Sequence, residues 1–239
     1  MIRGLYGAAT ALDAAWHRHE VVTENLAHLN VPGYRRRDVN LETFDRALGH
    51  ADGNASLMGV RASGVHVNFE PGPLVSTGNP FDVAITGDGF FTVQGPNGPL
   101  YTRCGTFRLS PEGELVTASG MPVVGGGGRI AIPQGASAVS IAADGTVQAD
   151  NYPVGQLQLV RFANPSALVP AGTTLFQAPP GVQPETGGVT VQQGFREDAN
   201  LNAAGEMVAM MLGMRHYESA QRALRVLGET VGLNTRPQS

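Results

Sequence analysis

The residue types that could do chemistry are few in this sequence, and their spacing suits chemistry poorly. One cysteine, Cys104, lies in YTRCGTF. Without a second thiol it forms no internal disulfide, and without a histidine placed to activate it the thiol reads as structural rather than nucleophilic. His17 and His19 stand two apart. On a helix that spacing points them to different faces, so they do not share a metal, and His19 reads as a polar contact between helices. Asp82 and Asp88 could be imagined as a glycosidase carboxylate pair. The first, however, falls in the alternating run FDVAI and the second in a Gly-Asp-Gly turn. That turn lacks the ligand spacing of a calcium loop. GGGGR, Gly125 to Arg129, lacks the Lys-Ser/Thr pair of a phosphate loop. Arg35 to Arg37 form a basic cluster that reads as a solvated segment, or functionally as a contact with acidic groups of a neighbouring subunit. No catalytic residue, cofactor site or metal ligand is expected, and the chain does not read as an enzyme.

Bulk properties narrow the class further. The chain has 239 residues, 42% hydrophobic and 15% charged, which excludes a disordered charged chain. Its net charge of −4 argues against nucleic-acid binding, whose footprint is basic. All 16 basic residues are Arg, a bias best read as codon composition. No apolar run of about 18 residues is present, so membrane insertion is not expected. Gly4 to Ala8 is too short for a signal-peptide core of about 7–15 residues, and Asp13 interrupts it, so no cleaved signal is expected.

The elements that must position these residues fall in three zones. From about Arg3 to Leu29, the residues Leu5, Ala8, Leu12, Ala15, His19, Val22, Leu26 and Leu29 alternate at spacings of three and four, a heptad seam. The helix ends at Asn30, suited to a left-handed cap, and Pro32. A counterpart runs from about Ala203 to Leu233, with Met207, Met210, Met214, Tyr217, Gln221, Leu224, Gly228 and Val231 on its seam and Asn200 or Asn202 as its cap. Between them period-2 patterns take over. Phe81, Val83 and Ile85 share one face, as do Leu157 and Leu159, and turn dipeptides such as Asn97-Gly98, Glu112-Gly113 and Asp144-Gly145 punctuate the runs. That pattern predicts antiparallel hairpins. Gly49 to Gly64 is small and polar and reads as linker.

The predicted fold is therefore mixed: a discontinuous terminal α-helical coiled-coil domain with an inserted all-β domain. Residues 1–34 plus 193–239 make the helical assembly domain, 35–68 a connector and 69–192 the β domain. Isolated helices are marginal in water. A pair joined only through a remote β domain is thin and calls for further partners in other chains. The expected subunit-interface residues are Leu5, Leu12, Trp16, Val22, Leu26, Leu29, Met207, Met210, Met214, Tyr217 and Leu224.

Three segments together resemble the axial proteins of the bacterial flagellar hook and basal-body rod. ENLAHLNVPGYRR matches that family's N-terminal signature at Asn25, Leu26, Ala27, Asn30, Pro32, Gly33, Tyr34 and Arg35. The stretch from GNPFDVAITGDGFF to MPVVG is similar to its β domain, and the C-terminal signature matches at Gly194, Asn200, Glu206, Met207, Arg215, Tyr217 and Glu218. Departures stand at Glu24, His28, Met214 and Ala220, where the family usually carries an amide, Gln at Met214 and Asn at the other three. The resemblance implies a structural subunit of the flagellar basal-body rod in the periplasm. It would be exported by the flagellar type III apparatus and would polymerise with copies of itself and other rod or hook subunits to carry torque. VHVNFEPGPLVSTGNPFDVAI and VGGGGRIAIP look closer to the proximal than to the distal rod type. A distal rod or hook-like subunit, a secreted β-rich wall-active enzyme and a self-contained coiled-coil adhesin are the alternatives.

Overall fold

A computed structural model describes residues 2–43 and 60–234. The chain divides into two compact units, one holding Met1–Leu29, Arg37–Asn68 and Leu201–Ser239, the other Asn30–Arg36 and Phe69–Asn200.

The first unit pairs the two ends of the chain. Helix α1, Ile2–Ala27, packs along helix α2, Ala203–Asn234. Past Ala27 the helix tightens rather than stopping at a left-handed cap: the amide of His28 reaches the carbonyls of both Glu24 and Asn25, and that of Leu29 reaches Leu26. Such shortened bonds satisfy end carbonyls. Asn30 is not in the left-handed region, contrary to the capping expected of it; the first residue there is Gly33, at φ +70°. At the start of α2, Asn202 is the cap, its Oδ1 accepting from the Gly205 amide at 3.2 Å. Glu206 adds a carboxylate to the first turn, where the helix dipole favours it.

The same unit contains an antiparallel hairpin of strands β1, Arg37–Thr43, and β2, Val60–Val67, packed against α1. Residues 60–64, expected as linker, are thus paired strand; the rest of that expected linker, 49–59, lies outside the described residues. A bulge between Asn40 and Leu41 offsets the register, with Ser63 left over and Gly64 beside it at φ +141°. A bulge of this kind twists a two-stranded ribbon.

The second unit is a set of small antiparallel sheets. The largest has six strands in the order 169–170, 175–177, 98–102, 90–95, 159–161, 185–186. Its core gathers Val83, Ile85, Phe91, Val93, Phe107, Leu115, Val123, Ile130, Val147, Leu157 and Leu159. Alternation in FDVAI is overridden by two-sided burial, since Ala84 is as buried as Val83 and Ile85. Turn chemistry differs from expectation in two places. The strands 90–95 and 98–102 pair Gly95 with Gly98, so Pro96-Asn97 is the two-residue loop and Gly98 opens the next strand at φ +130°. Asp150 and Asn151, at φ 51° and 68°, make a second tight turn with no glycine. Asp and Asn tolerate this region better than other side chains.

Candidate functional site

In the helical unit, Asn25 shows why the N-terminal motif needs an amide. It is fully buried, its Oδ1 accepts from the Arg37 amide at 3.0 Å, and its Nδ2 donates to the Arg37 carbonyl at 2.8 Å. The side chain thereby completes the backbone of the first residue of β1, which needs a donor and an acceptor on one short side chain. Nδ2 also lies 3.4 Å from Oε2 of the buried Glu206, joining residues 181 positions apart. Beside it Arg37 pairs with Glu24, and the His28 ring nitrogen Nδ1 donates to the Glu24 carbonyl at 2.8 Å. Glu24 and His28, two of the departures from the family pattern, are therefore engaged within the chain.

In the β unit, Gly33 to Arg35 are enclosed. A Cβ on Gly33 would lie 2.4 Å from the Cys104 amide nitrogen, so only glycine fits this left-handed position. Tyr34 is fully buried, and its carbonyl accepts from the Asn200 amide. Asn200 is no helix cap. Its Oδ1 accepts from the Arg36 amide at 2.6 Å and its Nδ2 donates to the Glu70 carbonyl at 2.9 Å. Arg35 corrects the reading of a solvated basic cluster. Its side chain is 1% exposed, and its Nη2 bonds Glu197 Oε1 at 2.6 Å. Arg103 Nε bonds Glu197 Oε2 at 2.8 Å, and its Nη1 donates to the carbonyls of Gly87 and Gly89. The Gly72 amide completes the carboxylate at 2.7 Å. Burial pushes the Arg35 guanidinium below its ordinary value while Glu197 opposes that shift. A buried arginine is kept by such a counter-ion, because an unpaired charge in the interior is costly.

The helical seams are positioned as follows. On α1, Ala8, Leu12, Ala15, His19 and Leu26 are partly buried and Val22 is buried, with Leu29 partly buried just past the helix end; Leu5 lies on the helix. On α2 the inward stripe is Glu206, Met210, Gly213, Tyr217, Ala220, Leu224 and Leu227. It shares Met210, Tyr217 and Leu224 with the spacing read from the sequence and otherwise sits one residue earlier. Glu206 and Gly213, inward beside the larger apolar Met207 and Met214, are passed over by a reading weighted by hydrophobic size. Met207 and Met214 instead lie half exposed, next to Val208, Met211 and Leu212. Trp16 is half exposed too, with its ring 6.2 Å from that of Tyr217 and 6.4 Å from that of His19. Among the remaining motif residues Asn30, Arg215 and Glu218 are exposed, and Glu218 meets Arg222 at 3.4 Å.

The chemical candidates are dispersed. Asp82 is buried and accepts from Asn79, whereas Asp88 is exposed. His17 sits between Asp13 and Glu20, and His19 lies against Trp16. Burial pushes the Cys104 thiol up, away from the thiolate that a nucleophile needs. Among the described residues no cluster of three or more His, Cys, Asp or Glu is placed to hold a metal, and no helix is long and apolar enough to cross a membrane. Glu197, Arg103 and Glu206 escaped the sequence reading as partners, because nothing local links positions 162 or 94 residues apart.

Chain ends that pair as helices around an inserted β unit, with apolar side chains left on the outer side of one helix, define a protein of surfaces rather than of a reactive cleft. Residues 84–149 match the family described as flagellar hook protein FlgE/F/G D1 domain, and residues 192–231 match that described as flagellar basal body rod FlgEFG protein C-terminal. The flagellar basal-body rod protein FlgG of Buchnera aphidicola is 34% identical over 94% of this chain and 95% of its own length. The flagellar basal-body rod protein FlgF of Caulobacter vibrioides is 33% identical over 86% of this chain and 85% of its own. FlgG of Agrobacterium fabrum is 31% identical over 97% of this chain and 98% of its own. The chain belongs to the flagellar hook and basal-body rod protein family, whose members are structural and not enzymatic.

Proposed function

We propose that this chain is a proximal subunit of the flagellar rod, which polymerises through its paired terminal helices and transmits torque. Its place is the periplasmic part of the basal body, reached through the flagellar type III export apparatus. The observation that carries the reading is the outer side of α2. With its inner stripe already filled by α1, the helix still leaves Met207, Val208, Met211, Leu212 and Met214 about half exposed. A contiguous exposed apolar patch marks an interaction surface. Partners are copies of this chain and other rod or hook subunits, a reading supported by the half exposure of the expected interface residues Trp16, Met207 and Met214. Helices that gain part of their cover from neighbours can remain unfolded through export and order on assembly. The proximal position is supported by VHVNFEPGPLVSTGNPFDVAI and VGGGGRIAIP. Deleting the gene and imaging basal bodies tests it. Rods that stop below the distal segment are expected; rods that reach the distal segment contradict the proximal position.

A further inference from the structure

We infer that α2 of one copy of this chain seats its outward face in the groove between α1 and the β1–β2 hairpin of a second copy. The inference rests on the self-assembly reading above and names the contact that performs it. The groove, about 500 Å³, is lined on α1 by His17, Glu20, Val21 and Glu24 and on the hairpin by Val39, Gly64 and Val65. Its floor is apolar, with Val21 buried and Val65 half exposed at the edge. Its rim is acidic. Asp13 lies one turn before His17 on the same face of α1, and Asp13 and Glu20 share the exposed His17 ring at 3.8 and 3.1 Å. Glu24 is held by Arg37.

The side of α2 away from its inward stripe carries the complement. Val208, Met211, Arg215, Ser219, Arg222 and Val226 recur at helical period on that side. Val208, Met211 and Val226 are half exposed or more. Arg215 has no carboxylate within salt-bridge reach among the described residues, and Arg222 has only the exposed Glu218 at 3.4 Å. Apolar ends with two guanidinium groups between them therefore meet an apolar floor with an acidic rim. Pairing of two such faces with each other would set arginine against arginine, a like-charge arrangement that disfavours it. Each copy carries one groove and one face on different surfaces, so the contact is heterologous and propagates without closing into a pair.

Two variants test the contact, Val65→Cys in the groove and Met211→Cys on the face, each in the full chain with Cys104 retained. They are concentrated at low ionic strength, where exposed charge pairing is least screened, then oxidised, and the disulfides are mapped by mass spectrometry. An equal mixture should give a 65–211 disulfide between copies, and each variant alone should give no more cross-linking than the unaltered chain. Arg215→Glu in the face variant should lower the yield about tenfold, and Glu20→Arg in the groove variant should restore it. Self-linking of Met211→Cys alone, or assembly with no 65–211 disulfide, would overturn the groove contact while leaving self-assembly standing. A yield unmoved by Arg215→Glu would overturn the charge pairing. Failure of the unaltered chain to assemble at any concentration would overturn the contact and the self-assembly reading together.

Discussion

Replacing Glu197 by Gln removes the negative charge that two buried arginines share. The carboxylate accepts from Arg35 at 2.6 Å, from Arg103 at 2.8 Å and from the Gly72 amide at 2.7 Å. Its side chain is 0% exposed, and those of its two partners are 1% and 3% exposed. Gln preserves the shape but turns an NH2 group toward one of the three donors. Each charge-assisted bond contributes about 1.5–3 kcal/mol net. The three share one carboxylate and do not add independently, so the comparison that decides is a buried pair stripped of one partner, about 3–5 kcal/mol. That loss lowers the melting temperature of the β unit by roughly 10–25 °C at about 3–5 °C per kcal/mol for a domain of this size. Calorimetry and urea titration measure it. The control is Arg161→Ala, which breaks the Arg161–Glu185 pair, of similar length at 2.9 Å but about half exposed on both sides. It should cost no more than about 1 kcal/mol. A Glu197→Gln loss no larger than the control would refute the assignment of the cluster as a buried, mutually dependent unit.

Two further predictions follow from the same segment. Gly33→Ala and Gly78→Ala both strain a backbone near φ +70°, but only the first sets a Cβ against Cys104, since Gly78 has nothing within 4 Å. Gly78→Ala should cost about 1–2 kcal/mol and Gly33→Ala at least about 2 kcal/mol more by urea titration, and equal losses would remove the close approach as the reason for the glycine. Burial raises the folded pKa of the Cys104 thiol. The neutral thiol therefore contributes stability that is complete below the unfolded value, near 8.5, and is lost as pH rises through the folded value. Alkylation of the native chain at pH 8 should be at least about tenfold slower than in urea; a native rate matching the unfolded one would contradict it.

Periodicity carried the architecture. A heptad spacing at each end and period-2 runs between them are local patterns, and the helix pair and the inserted sheets follow them. Local pattern also explains the errors. The inward stripe of α2 uses Glu206 and Gly213, which hydropathy ranks below the neighbouring Met207 and Met214, and continuing the register those methionines set reads Gln221 and Gly228 where the helix turns Ala220 and Leu227 inward. Whether Arg35 is solvated or buried depends on Glu197, and no spacing rule joins them across 162 positions. Gly33 was visible as a motif residue, yet its reason, the Cys104 backbone, is a tertiary contact. Asn200 and Asn202 looked equivalent as caps. The Arg36 amide and the Glu70 carbonyl, which engage the Asn200 side chain, and the Gly205 amide, which engages that of Asn202, separate them.

Hydrogen exchange read residue by residue, in dilute monomer and in assembled polymer, addresses the proposal that the terminal helices finish folding against other copies. In the monomer, amides of residues 5–29 should exchange far faster than those of core positions Val93, Val147 and Val160, all fully buried in the β unit. In the polymer the helix amides should slow toward the core values. Equal protection of residues 5–29 and the β core in a dilute monomer would contradict assembly-coupled folding.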